Sequence, residues 1–224
     1  MMALYVDSAD VAEVADLCAT FPVAGVTTNP SILLAAIERG QRLSDLEVLG
    51  ELLAACNGPV FMQPTAETAQ ALVAAGMRYV DVDSARVVLK LPMTALGIHA
   101  ALGLKRSGAR VAFTAVASLA QAYTGILAGA EWVIPYFARM RRAGVDTCDR
   151  IGGMARLIET QASGCRILAA SLKSPADVME ATLAGAHDAT VPPGVLRAMS
   201  EDPLSQAAVT QFAADWQRAG EMLR

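Results

Sequence analysis

Short runs of consecutive apolar or β-branched residues alternate along the chain with longer Ala- and Leu-rich stretches. The runs are Ala3–Val6, Val23–Val26, Val60–Gln63, Arg86–Leu91, Val111–Thr114, Trp132–Tyr136, Ile167–Ser171 and Ala189–Val191. Several are apolar at every position instead of every second one, the pattern of a strand buried on both faces. Helix-start signals fall between them. Ser8 is placed to cap a helix with Asp10 in its first turn. Asn29-Pro30 supplies a cap followed by proline at the first helical position, where no N–H is missed. Glu67–Ala75 reads as helix and another follows Thr94. Ser174-Pro175-Ala176-Asp177 combines cap, proline and early acid.

Eight strand-then-helix units predict an α/β fold with parallel strands. No G-x-G-x-x-G follows a strand and no G-x-x-x-x-G-K-S/T occurs. The nucleotide-binding open sheet thereby loses support. A closed (β/α)8 TIM barrel is expected over residues 1–201, with an extra C-terminal helix over 202–224. Val209, Phe212 and Trp216 fall on one side of that helix, and the stripe needs cover. Either its own barrel or a neighbouring subunit can supply it.

Composition narrows the class. A 224-residue chain buries roughly 70–75% of its unfolded surface and needs no disulfide or metal to fold. A net charge of −4 argues against a nucleic-acid partner, which wants a basic stripe, and 54% hydrophobic residues exclude disorder. Cys18, Cys56, Cys148 and Cys165 form no C-x-x-C pair, and His99 and His187 match no ligand spacing. Reduced thiols, no metal site and a cytoplasmic location are expected. The start MMALYVDSAD lacks a basic n-region and reaches Asp7 too early for a signal peptide. Val111 to Ala130 carries no charge over a membrane-length stretch. It includes Thr114, Ser118 and Gln121, and a β-type run gives way to a helical one near Ala117. Two adjoining soluble elements explain it better than a span, so no membrane partner is expected.

Among 18 basic residues only Lys90, Lys105 and Lys173 are lysines. Lys105 sits beside Arg106 at a helix end, an ordinary solvated position. Lys90 lies inside Val87-Val88-Leu89-Lys90-Leu91-Pro92, at the C-terminal end of an apolar strand, which is the active-site face of a barrel. Schiff-base chemistry wants a neutral amine, yet at an ordinary pKa of ~10.4 only about one lysine in 2,500 is neutral at pH 7. Apolar surroundings disfavour the ammonium and bring the amine within range. A lysine that snorkels, or is held by a strand-end acid, is the alternative.

Other strand ends favour the chemical reading. The first ends in Asp7, the second leads to Thr27-Thr28-Asn29 and the third ends in Gln63. Thr114, Tyr136 and Ser171 follow at the fifth, sixth and seventh. Each has an ordinary explanation alone; together they line a pocket around Lys90. Asp7 is the one carboxylate among them and the natural acid, base or lysine-orienting group. Arg139 and Lys173 bring positive charge to the same rim, and Ser171 leads to the N-terminus of the Ser174-Pro175 helix, an anion site. A phosphate-bearing substrate fits. Arg141 and Arg142 read as solvated loop residues.

The segments Leu4-Tyr5-Val6-Asp7, Gly25-Val26-Thr27-Thr28-Asn29-Pro30-Ser31, Val88-Leu89-Lys90-Leu91-Pro92 and Ala169-Ala170-Ser171-Leu172-Lys173 resemble the transaldolase family, and more narrowly its short fructose-6-phosphate aldolase branch. The resemblance runs over essentially the whole chain, and G-V-T-T-N-P-S is its most specific motif. It implies a (β/α)8 barrel, class I aldolase chemistry without metal or cofactor, and a homo-oligomer, a decamer in that branch. It makes Lys90 the Schiff-base lysine, with Asp7 and Asn29 positioning it and the donor hydroxyls. Gln63 and Thr114 would hold a catalytic water used by Tyr136 as proton relay. Arg139 and Ser171, with Lys173, would bind the phosphate of an acceptor aldehyde. Thr27 and Ile134 would border the ketone donor.

Transaldolases proper carry Glu and Phe where this chain has Gln63 and Tyr136, so these two positions match the aldolase branch. Departures concern the substrate. Ile134 replaces a transaldolase Ser or an aldolase Ala, Phe137-Ala138 replaces a Val-Asn pair, and Pro64, Ala112 and Phe113 are unusual neighbours. An aldolase joining a dihydroxyacetone-type donor to glyceraldehyde 3-phosphate is expected first. A transaldolase moving a dihydroxyacetone unit between sugar phosphates comes second, and a non-catalytic phosphosugar-binding barrel is the alternative of another class.

Overall fold

The structure is a computed structural model describing residues 2–223. Eight parallel strands close into a barrel in chain order, the last pairing with the first. The order is β1 Ala3–Asp7, α1 Val11–Thr20, β2 Val23–Thr27, α2 Pro30–Glu38, α3 Asp45–Ala55, β3 Val60–Met62 and α4 Ala69–Val80. It continues with β4 Val87–Pro92, α5 Ala95–Arg106, β5 Arg110–Val116, α6 Leu119–Leu127 and β6 Trp132–Pro135. Then come α7 Phe137–Arg142, α8 Thr147–Thr160, β7 Arg166–Ala169, α9 Pro175–Leu183, β8 Asp188–Val191, α10 Pro193–Ala198 and α11 Pro203–Met222. The expected (β/α)8 TIM barrel with an extra C-terminal helix is what forms.

Side-chain alternation divides the core into two layers. Residues such as Val6, Val26, Leu89, Leu91, Phe113, Val133 and Ile167 point outward and meet the helices. Tyr5, Phe61, Val88, Ala112, Trp132, Ile134 and Leu168 point inward and fill the barrel. Within that plug Phe61 meets Tyr5 and Trp132 edge to face, at centroid distances of 5.6 and 5.0 Å. The barrel interior is therefore solid below the C-terminal rim. Gly25 is required at β2, because a Cβ there would stand 2.4 Å from the Pro59 carbonyl oxygen and 2.8 Å from the Tyr5 ring.

Most caps form as the sequence predicts. Asn29, Thr94 and Ser174 each accept a backbone N–H three residues on. Ser118 caps α6, so the uncharged stretch at 111–130 is a strand followed by a helix. Among the described residues no helix is long and apolar enough to cross a membrane. Ser8 is corrected. Its N–H donates to the Thr27 carbonyl at 3.2 Å, which prolongs the β1–β2 contact, and Asp10 caps α1 two residues later. The helix expected from Glu67 starts at Ala69, because Thr68 is the cap, and runs on to Val80. Helix α3, opened by a Ser44–Glu47 capping box, has no counterpart in the sequence reading.

Helix α11 stands apart. None of its residues is buried; Phe212 is 69% and Trp216 81% exposed. Cover by its own barrel does not occur.

Candidate active site

The C-terminal strand ends surround one cavity of about 470 Å³. Asp7, Asn29, Gln63, Lys90, Thr114, Tyr136, Arg139, Ser171 and Lys173 all contribute to its wall. Two expected members do not. Thr27 is fully buried behind Asp7, and Ile134, 1% exposed, belongs to the plug of inward side chains beneath the cavity floor. The unusual Phe113 points away into the helix layer, where its ring crowds Gly125. Ala112 lies inside the plug.

Lys90 is 3% exposed. Its Nζ donates to the Thr28 carbonyl oxygen at 2.7 Å, and among the described residues no carboxylate lies within ion-pair reach of it. Burial pushes its pKa below the ordinary lysine value, and the negative charge of Asp7 opposes that shift only in part. A salt-bridged structural lysine would show the reverse balance. The amine is held by one neutral acceptor in an apolar strand, and such a group is inclined to lose its proton.

Around it the polar groups are partly committed. Thr27 Oγ1 donates to Asp7 Oδ1 at 2.6 Å. Asn29 Oδ1 is used as the α2 cap, accepting from the Ile32 N–H at 3.0 Å, which leaves its amide N–H₂ for the cavity. Thr114 Oγ1 donates to the Tyr136 hydroxyl at 2.9 Å. The Arg139 guanidinium lies 4.6 Å from the centroid of the Tyr136 ring. Among the described residues no carboxylate pairs with Arg139 or Lys173.

Two backbone kinks shape the rim. Ala115 and Ser171 have φ of +59° and +61°, unusual for residues with a Cβ. Ala115 lies at the register shift between β5 and β6, and Ser171 turns the chain out of β7 with its carbonyl accepting the Ala138 N–H. The flanking strands make these turns necessary, and no sequence pattern announces them.

At the α9 N-terminus, where an anion site is expected, the Asp177 carboxylate stands close by, accepting from the Lys173 backbone N–H at 2.8 Å. Arg141 and Arg142 are exposed as expected, but on α7 instead of a loop, and Arg141 pairs with Asp177 and Glu180 and stacks on Phe137. The positive charge facing the cavity is that of Arg139 and Lys173. The sequence places Thr28 at a strand end but gives no sign that its carbonyl holds the amine, and it does not single out Thr190, within 2.6 Å of Thr27.

Comparison with known proteins gives the family of this barrel. The model of the transaldolase/fructose-6-phosphate aldolase family matches residues 4–223, and the chain belongs to that family. A protein of Phenylobacterium zucineum (strain HLK1) named "Probable transaldolase" is 35% identical over 222 residues, 99% of this chain and all of that one. Among solved structures, a mandelate oxidase aligns with TM-score 0.61 and 14% identity, over 88% of this chain and 65% of its own. Inosine 5′-monophosphate dehydrogenase from Legionella pneumophila aligns with TM-score 0.60 and 13% identity, over 86% and 58%. The chain spans less than two thirds of those two structures, and they share the barrel alone.

Proposed function

We propose that this chain is a class I aldolase of the fructose-6-phosphate aldolase kind, joining a dihydroxyacetone-type ketone to a phosphorylated aldehyde such as glyceraldehyde 3-phosphate. The observation that carries the reading is Lys90: an amine 3% exposed, bonded to one neutral carbonyl and depressed in pKa by burial. Neutral Nζ attacks the ketone carbonyl, and loss of water gives the iminium ion. Loss of a proton from the adjacent carbon gives an enamine, which adds to the aldehyde. Water then releases the product and restores the amine.

In this reading Asp7 and Asn29 orient the amine and the donor hydroxyls. Gln63 and Thr114 hold the water through which Tyr136 moves protons, consistent with the Thr114–Tyr136 hydrogen bond. Arg139, Ser171 and Lys173 take the phosphate, the first and last being cations on the cavity wall that pair with no carboxylate among the described residues. Thr27 supports Asp7 from behind, and Ile134 packs beneath the donor-side floor. Transfer of a dihydroxyacetone unit between sugar phosphates is the second reading, favoured by the name of the 35% identical relative. Gln63 and Tyr136, in place of Glu and Phe, favour the lyase.

Borohydride added with dihydroxyacetone should leave donor mass on the Lys90 peptide. Adduct on Lys173 instead, with Lys90→Ala still active, would sink the assignment. Product analysis with and without an acceptor aldose separates lyase from transferase.

We also infer that residues 202–224 are an arm that packs on a neighbouring subunit of a cytoplasmic homo-oligomer. Its stripe of Val209, Phe212 and Trp216 is exposed, and apolar helical faces of that kind seek cover in an assembly. Light scattering should give a mass several times that of one chain. A monomer at micromolar concentration would refute the arm.

A further inference from the structure

The hydrogen bonds behind Asp7 reach one strand further than the proposed machinery. Thr190 on β8 is 2% exposed, and its hydroxyl lies 2.6 Å from Thr27 Oγ1. Thr27 Oγ1 lies in turn 2.6 Å from Asp7 Oδ1. The barrel closure makes this possible. β1 runs between β2 and β8, pairing Asp7 with Thr27 on one side and Tyr5 with Thr190 on the other. Three adjacent strands thus deliver three polar side chains to one buried line.

Hydroxyl chemistry gives that line a direction. Each threonine has one proton to donate, and an ionised carboxylate has none. Thr27 therefore donates to Asp7, and Thr190 donates to Thr27. Both bonds are short, and in a low-dielectric interior each donation polarises the next. The chain ends on one oxygen of Asp7. Only Asp7 of the three reaches the cavity wall, so Thr190 touches neither substrate nor Lys90.

We propose that Thr190 is a positioning residue for this reaction: it commits the single proton of Thr27 to Asp7 Oδ1 and fixes the carboxylate plane, leaving Oδ2 for the chemistry beside Lys90. This rests on the reading of Asp7 as the group that orients the amine and donor. An unheld carboxylate rotates about its last bond, and a misdirected one lowers the turnover number without changing substrate affinity.

Thr190→Val keeps the shape and removes the hydroxyl; Thr190→Ser keeps the hydroxyl. Thr190→Ala is a second hydroxyl-free variant should valine fail to fold. Each is measured for kcat and KM with dihydroxyacetone and glyceraldehyde 3-phosphate. Borohydride trapping of dihydroxyacetone serves for variants too slow for steady state, and the set is repeated on Asp7→Asn. The hydroxyl-free variants should lose about fivefold in kcat, the worth of one net hydrogen bond, with KM within twofold. Thr190→Ser should approach wild type, and on Asp7→Asn the valine change should cost nothing more. Wild-type kcat in Thr190→Val, equal damage in Thr190→Ser, or the same loss repeated on Asp7→Asn would each overturn the proposal. An unimpaired Asp7→Asn would instead reject the role of Asp7, and the proposal with it.

Discussion

Of the charged residues buried among the described residues, Asp188 and Lys90 stand at opposite rims of the barrel, and their surroundings differ sharply. At the N-terminal rim Asp188 has no exposed side-chain surface. It accepts from Arg166 Nε at 2.7 Å and Nη2 at 2.6 Å, from Trp132 Nε1 at 3.0 Å and from the Ala3 N–H at 3.1 Å. Nearby Tyr5 is pushed up to about 12 by burial and by the Asp188 charge. At the C-terminal rim Lys90 has one neutral acceptor. A buried carboxylate saturated with donors ties strands together, whereas a buried amine with a single carbonyl partner is the group the proposed function uses. On that reading the same core fixes structure at one rim and poises chemistry at the other.

The largest effect that tests this division is at Lys90. Lys90→Met should lower turnover on the order of 10⁴-fold while leaving the fold at least as stable at pH 7. The sign follows from the depressed folded pKa. Between the folded value and the ordinary ~10.4, the unfolded chain holds a proton that the native chain lacks. The wild-type contribution is therefore complete above the unfolded value and lost as pH falls through the folded one. The stability advantage of Lys90→Met should shrink as pH rises from 7 to 10. A gap that stays flat or widens in melts across that range would break the comparison.

Asp188→Ala should do the opposite. Removing this buried acceptor of four donors, with Arg166 itself 34% exposed, costs about 2–4 kcal/mol, a fall in Tm of roughly 10 °C for a chain this long. The kcat per folded molecule should change by less than twofold. Calorimetry beside an active-site titration checks both halves, and lost turnover with an unmoved Tm would contradict the division.

The smallest effect sharpens the boundary between plug and cavity. Ile134 lies one layer below Tyr136 and offers no hydrogen bond to a donor's terminal hydroxyl. Ile134→Ser should shift the kcat/KM ratio from hydroxyacetone toward dihydroxyacetone by about fivefold. A wild type already preferring dihydroxyacetone more than tenfold, with the serine variant unchanged, would place Ile134 outside the donor pocket.

What the sequence disclosed follows the same two-rim logic. Strands buried on both faces leave continuous apolar runs, so all eight were legible, their ends shifting by a residue or two. Lys90 was legible because a charge inside such a run is anomalous. Polar strand ends gave the cavity wall. Features held by tertiary neighbours were not legible: the positive φ of Ala115 and Ser171, the Thr28 carbonyl, and the bond of Asp177 to the Lys173 backbone N–H. Thr190 stands in the Ala189–Val191 run with nothing in the sequence to single it out, and the closure of β8 on β1 sets it behind Thr27. Ser8 misled because its backbone stays bonded to β2, a contact no capping rule includes.

The depth of Lys90 also has a practical side. Lys105 and Lys173 stand in solvent while Lys90 lies at the bottom of a cavity of about 470 Å³. Bulky amine-reactive labels should therefore decorate Lys105 and Lys173 and pass over Lys90. A tether or dye on Lys105, which is not on the cavity wall, should spare the site, whereas one on Lys173 would stand at its mouth, and only a carbonyl small enough to enter the barrel should reach Lys90.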